Sequence, residues 1–452
     1  MTPSIKHILL TLSFSCFSLV GWSQEDSTLT YEEAVGIALR ENIQIQQQRN
    51  LLEVSQAERS QAYAQFAPSD GYQAGASRVY GRHIDQTAGD FTEEINNRMD
   101  GGLGASMTLF NGFRNINQLR QSRENAEAQL NLINQTKQDV TFNVSQQYLQ
   151  VLLNHEVLRI QKANLEQQEE LLESTRTFVE SGAQFNIADL YNQEAQTKRA
   201  ALTVVEAENA LTISKVQLIR ILQIDPFKDW TFAEPDINQW EILSDIVSIE
   251  EAYNQAIANR PDIKQQENII QTSYYGMKVA RSGYLPRLSA GYYIGSRYST
   301  LFDAPVSDQL FDINRVSVIS LDLNIPIFSN LDNYAAVQRN KQVMNNAELD
   351  MEDLKRNIFE QLQTAITEYK ATKQRIIAAE AQLKAAEQAL EAERERFRLG
   401  VSNIIDLSLV NASYVEAQAT QAQANYQLIF QKTALEYFMG KLQPEDIVAR
   451  GN

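Results

Sequence analysis

The chain has 452 residues and a formal net charge of −17, with 57 acidic side chains against 40 basic ones. An acidic balance of that size excludes a nucleic-acid partner, which needs clustered Lys and Arg. The length admits two or three ordinary domains.

Residues 1–23 read as a secretory signal peptide. Lys6 and His7 precede an apolar run from Ile8 to Val20, and small residues follow around Gly21 and Ser23. The run is too short for a membrane-spanning helix, and cleavage is expected near Ser23–Gln24. Cys16, the only cysteine, lies inside it, so the mature chain has none. A lipid anchor at Cys16 is not expected, because Phe17 to Trp22 separate it from the polar Ser23. No long apolar segment follows, so any membrane insertion has to use strands.

Tyr31 to Glu41 predicts a short helix, and Ile43 to Phe66 a second one, rich in Gln and Ala and ended by Pro68. After Pro68 the period changes to two. Leu103, Ala105, Met107 and Leu109 share one face of a strand at about 101–110, and its partner is a strand at about 70–80. From Gly112 the helical period returns and meets no Gly or Pro until Gly182. A helix over about 112–181 would span roughly 105 Å. Val144, Val151, Leu158, Leu165, Leu172 and Val179 recur along it every seven residues. Such a seam packs a helix lengthwise against neighbours. After Gly182 comes a tight turn and another helix, about Asp189 to Leu222.

The chain then repeats itself at an offset of 218 residues. Leu29-Thr-Tyr-Glu-Glu-Ala reappears as Val247-Ser-Ile-Glu-Glu-Ala, Pro68 maps onto Pro286, and Gly182 onto Gly400. The seam returns as Leu362, Tyr369, Ile376, Leu383, Leu390 and Phe397. A register held this long defines two structural repeats, 24–222 and 248–439, joined by a linker 223–247 and followed by a tail 440–452. In the second repeat the strands are placed at about 287–297 and 315–326, with Ile319, Leu321, Leu323 and Ile325 on one face, and the long helix at about 329–399. The helices flanking each long one have a combined length close to it. Stacked end to end, they would form an antiparallel partner, with the short helices, linker and tail gathered at mid-length.

Strands of about ten residues, in segments rich in Tyr, suit a tilted crossing of a bilayer better than the alternative of a small soluble hairpin, whose buried face nothing else in the chain could cover; Leu103, Ala105, Met107, Leu109, Ile319, Leu321, Leu323 and Ile325 are the lipid-facing candidates. Four strands cannot close a barrel, so several chains must combine. Twelve rods spaced about 10 Å apart, from three chains, leave a bore near 25 Å, and eight rods leave about 15 Å; the sequence does not choose between them.

The repeat carries three further strings: Leu109-Phe110-Asn111-Gly112, Pro326-Ile327-Phe328-Ser329-Asn330, and Phe397-Arg-Leu-Gly400-Val-Ser-Asn-Ile-Ile-Asp406. In register together, they resemble the TolC-type outer membrane factors over the whole mature chain. The resemblance implies a mainly α fold with a small β part: a barrel of long antiparallel helices, completed by a twelve-stranded β-barrel in a homotrimer. It also implies an exit duct in the outer membrane of a Gram-negative bacterium, with a long periplasmic extension. The implied partners are outer-membrane lipid, a periplasmic adaptor meeting the tip around Gly182 and Gly400, and an inner-membrane pump.

At that tip, Asp406 matches an acidic residue of the family and Asp189 is its first-repeat counterpart. They read as a carboxylate ring at a constriction, as helix caps, or as both. The family's basic lock, two residues after the second glycine, is replaced by Ser402; Gln184 stands at the first-repeat position, and Leu409 replaces a further acid. A gate held by hydrogen bonds and packing is therefore expected. Glu391 to Arg396 reads as a solvated face. His7, His83 and His155 are scattered, so no metal site is expected. No cofactor or catalytic motif is present, and no enzyme activity is expected. The competing reading, a periplasmic scaffold or adaptor without a pore, has no use for the apolar strand faces.

Overall fold

The computed structural model describes residues 28–84, 89, 91–92, 95–181, 186–234 and 248–450. The expected signal peptide, Gly182, Gln184 and most of the expected 223–247 linker lie outside the described residues.

In chain order the elements are β1 (Thr28–Leu29), α1 (Tyr31–Glu41), α2 (Ile43–Ala64), β2 (Ser69–Val79), β3 (His83–Ile84), β4 (Phe91–Thr92), β5 (Asn96–Asn111), α3 (Arg114–Glu180) and α4 (Ile187–Leu222). The second repeat runs β6 (Thr231–Phe232), α5 (Ile249–Asn259), α6 (Pro261–Arg281), β7 (Arg287–Ser299), a helical turn α7 (Val306–Asp308), β8 (Val316–Asn324), α8 (Asp332–Arg398), α9 (Ile404–Phe438) and α10 (Pro444–Arg450). Several starts follow from local chemistry. Thr30 and Glu33 close a capping box on α1, Asn42 caps α2, and Pro261 opens α6.

The four long strands form one antiparallel sheet in the order β2-β5-β7-β8, and the two-residue strands pair separately as β1–β6 and β3–β4. The helices below follow the same lateral order. The long α3 packs on α2, α4, α6 and α9, and α8 packs on α6 and α9. The molecule is thus one layer four rods wide, with each rod continuing into one strand. Its two outer strands, β2 and β8, have no partner on their far sides among the described residues.

The stacked rods are spliced at mid-length by different chemistry in each repeat. Asn42 donates an amide N–H to the Ile221 carbonyl at the α2/α4 joint. At the equivalent α6/α9 joint, Arg260 donates to the Phe438 carbonyl at 3.2 Å and pairs with Asp262 at 2.6 Å. Around these joints lie the two main apolar clusters. One gathers Leu29, Val35, Ala38, Val144, Tyr148, Val151 and Leu218; the other gathers Ala252, Ile263, Ile358, Leu362, Ile366 and Leu435.

Several elements depart from the sequence expectation. The linker adds a strand, β6, which runs parallel to β1 and is held by Tyr148, whose hydroxyl lies 3.0 Å from the Leu29 carbonyl and 2.6 Å from that of Ala233. The tail forms α10, and Lys137 of α3 pairs with its Glu445 at 2.9 Å. The long helices start later than expected, at Arg114 and Asp332, because two residues before each are left-handed: Gly112 and Phe113, then Asn330 and Leu331. A Cβ at Gly112 would sit 2.6 Å from that of Leu285, so this turn needs glycine.

Candidate functional site

The sheet separates two chemistries. Directly paired residues on antiparallel strands share a face. One row therefore runs Tyr72–Leu103–Ile294, the next Asp70–Ala105–Tyr292–Ile319, and the next Met107–Ala290–Leu321, with Leu288 beside Leu323. The opposite face runs Gly75–Asp100–Arg297, Gln73–Gly102–Gly295–Val316, Gly71–Gly104–Tyr293–Val318 and Ser69–Ser106–Gly291–Ser320, with Ser289 beside Asp322. The first face carries most of the large apolar side chains, with Asp70 and Ser317 among them; the second is rich in glycine and mostly polar, with Tyr293, Val316 and Val318 as its apolar members.

Six of the eight strand candidates, Leu103, Ala105, Met107, Ile319, Leu321 and Leu323, lie together on the apolar face, and Ile319 is 84% exposed. Leu109 sits at a register shift between Thr108 and Phe110, so the strict alternation expected there is broken by a bulge. Ile325 follows the end of β8 and is exposed. β2, β5 and β7 outrun the expected ten residues, whereas β8 has nine. The 16 residues of β5 rise roughly 50 Å, past an apolar band about 25 Å tall. Part of the long polar loop expected at 81–98 is therefore strand.

At the far end of the rods, the second turn is fully visible. Gly400 is left-handed at φ 73°, Gly400 N–H donates to Phe397 and Val401 N–H to Arg396, which closes α8. Asn403 then caps α9, its side-chain oxygen accepting from the Ile405 and Asp406 N–H groups at 3.0 and 2.9 Å. The Asp406 carboxylate accepts from the Asn403 amide. In the first repeat, Asn186 caps α4 in the same way, and Asp189 accepts from the Asn186 N–H at 3.0 Å, completing a capping box. Both acids are thus engaged in capping, with Asp406 exposed and Asp189 half-buried.

Ser402 donates its hydroxyl to Glu393, and Arg396 pairs with the other oxygen of that carboxylate at 2.7 Å. Glu393 is buried, which corrects the solvated reading of Glu391 to Arg396 at this one position. Exposed Leu399, Val401, Ile405 and Leu409 surround the turn. Sequence reasoning missed Glu393, Asn186 and Asn403. The caps had a signal in Asn186-Ile-Ala-Asp189 and Asn403-Ile-Ile-Asp406, a polar residue three before an acid at each helix start. Glu393 had none, because only the fold of the turn brings it to Ser402.

A layer of long rods topped by a sheet with one apolar face is the architecture of outer-membrane channels. The structure superposes on the outer membrane channel CmeC of Campylobacter jejuni with a TM-score of 0.77, at 17% identity, over 99% of this chain and 97% of that one. In sequence the chain is 19% identical to the outer membrane efflux protein BepC of Brucella suis, over 76% of this chain and 73% of BepC. It is 22% identical to the outer membrane protein TolC of Escherichia coli, over 78% and 76%. The chain belongs to the outer membrane efflux protein family, whose profile matches residues 34–222 and 252–441, one block in each repeat. Its place is the outer membrane, and its role is that of an exit channel.

Proposed function

We propose that three copies of this chain close into a duct, with the apolar sheet face in lipid and the polar face lining a twelve-stranded pore. The observation that carries this reading is the sheet itself, which among the described residues has two free edges and gathers most of its large apolar side chains on one face. Free edges cannot persist in a bilayer, so each β8 would pair with the β2 of a neighbouring copy. Leu51 and Val54 on α2, and Leu202, Val205, Ile213 and Val216 on α4, are all at least half exposed in the single chain. They supply apolar surface for the same lateral contact along the rods.

In this reading the duct conducts passively and performs no catalysis. A periplasmic adaptor, itself attached to an inner-membrane pump, docks around Gly400 and the first-repeat turn, where Leu399, Val401, Ile405 and Leu409 offer an apolar collar. The closed tip is held by caps and packing, with the Ser402–Glu393–Arg396 group in place of a basic lock. Asp189 and Asp406 add negative charge near the constriction.

Reconstitution into planar bilayers tests the reading. The mature protein is expected to give stepwise ion conductance and to sediment with outer membranes. Absence of conductance from correctly assembled protein would overturn it. Ser402→Arg is expected to lower the closed-state conductance, and an unchanged value would refute the proposed gate.

A further inference from the structure

A cleft of about 440 Å³ lies at mid-length, across α9 between α3 and α8. Its walls are Phe142 from α3, Phe430 and Phe438 from α9, and Thr364, Glu360 and Glu368 from α8. The aromatic side is a built cluster. Phe142 stacks on Tyr437 at 4.5 Å and 13°, with Phe430 5.7 Å and Phe438 6.2 Å from it. Tyr437 donates to Asp139 at 2.6 Å, and burial pushes its phenol well above the ordinary range. It is thus held as a neutral ring. On the α8 side, Glu360 is exposed, and Glu368 reaches Arg375 at 3.7 Å, the long end of ion-pair distance.

The faces of α8 locate this cleft relative to the duct. The α8 residues grouped with α5 are Glu352, Lys355, Arg356 and Phe359, whereas Asn357, Gln361, Thr364 and Glu368 line the cleft. At 100° per residue the two sets fall on opposite sides of the helix. On α3 the same holds: Val144, Tyr148 and Val151 pack against α1 and β6, and Phe142 lies away from them. The short helices must be outside the ring. Six of them from three copies, each about 10 Å across, would fill a bore near 25 Å. The cleft is then on the inner wall.

We propose that this cleft is a binding site in the duct for organic cations with aromatic or bulky apolar groups. Aromatic faces attract cations and apolar surface together, and the α8 carboxylates add the complementary charge. Anions of the same shape are disfavoured by Glu360 and Glu368. The inference rests on the three-chain duct proposed above.

Block of the conducting protein in planar bilayers by tetraphenylphosphonium, added on the barrel side, tests it. Tetraphenylborate serves as the anion of matched shape. The expected result is concentration-dependent block by the cation and at least tenfold weaker block by the anion. Phe142→Leu, which removes the ring but stays apolar, and Glu368→Gln, which keeps the shape and removes the charge, are each expected to weaken cation block about fivefold or more, with unblocked conductance unchanged. Equal block by both ions, no block, or variants that block like the parent would overturn the site while leaving the duct intact. A parent protein that forms no pore would instead remove the reading on which the site rests.

Discussion

The mid-length joints and the Gly400 turn are made from the same seven-residue seam, yet they bury it differently. Val144, Val151, Leu362 and Tyr369 are buried near the joints, whereas Leu172 and Val179 on α3 and Leu383 and Phe397 on α8 are half-buried toward the C-terminal ends of those helices; Leu390 is the exception. Around the joints the rods are wrapped by α1, α5, α10 and the β1–β6 pair, and at the turn nothing covers them among the described residues. Apolar contact therefore holds the middle. Caps, one buried carboxylate and an exposed apolar collar define the end. A periodic seam fixes how rods align, but wrapping decides where the layer is rigid and where it is free to move or meet a partner.

This contrast breaks if the middle tolerates truncation. Leu362→Ala is expected to cost about 2–5 kcal/mol and to deplete assembled protein in outer membranes, measured by the temperature at which the oligomer dissociates in gels. Tyr148→Phe leaves the ring and removes the hydroxyl shared with Leu29 and Ala233. It is expected to cost about 1–2 kcal/mol and to speed proteolysis at β1 and β6. At the other end, Asn403→Ala should cost about 1 kcal/mol locally, leave the dissociation temperature nearly unchanged and raise closed-state conductance. If it lowered the dissociation temperature as much as Leu362→Ala does, the two regions would not differ as described.

The smallest effect is electrostatic. The hydrogen bond from Lys137 holds the Glu445 carboxyl below its ordinary range. A lowered folded-state pKa means the pair stabilises at neutral pH and is lost as pH falls from the ordinary carboxylate range through the lower folded value. The group is largely exposed, so release of α10 on acidification should cost only ~0.5 kcal/mol. Glu445→Gln is expected to abolish that pH dependence in hydrogen exchange of α10.

Much of the architecture was legible because duplication made each half check the other. Heptads gave the rods, and alternation gave the strands. What escaped depended on contacts between distant segments. β6 is two residues long and exists through Tyr148, 83 residues away from Thr231, so no local period announces it. The bulge at Leu109 and the left-handed pairs before α3 and α8 are geometric demands of turning a strand into a helix, met by Gly112 in one repeat and Asn330 in the other. At the turn, Asp189 and Asp406 stood out as acids, but their partners were asparagines whose role appears once the helix starts are fixed.

The central claim is that one chain makes only a third of a wall. The mass of the mature protein in detergent, measured by sedimentation, tests it most directly. Three copies of a chain that has a mass of 51.2 kDa over its full sequence, with loss of solubility when detergent is removed, is the predicted result. A stable single chain in detergent-free buffer would contradict it.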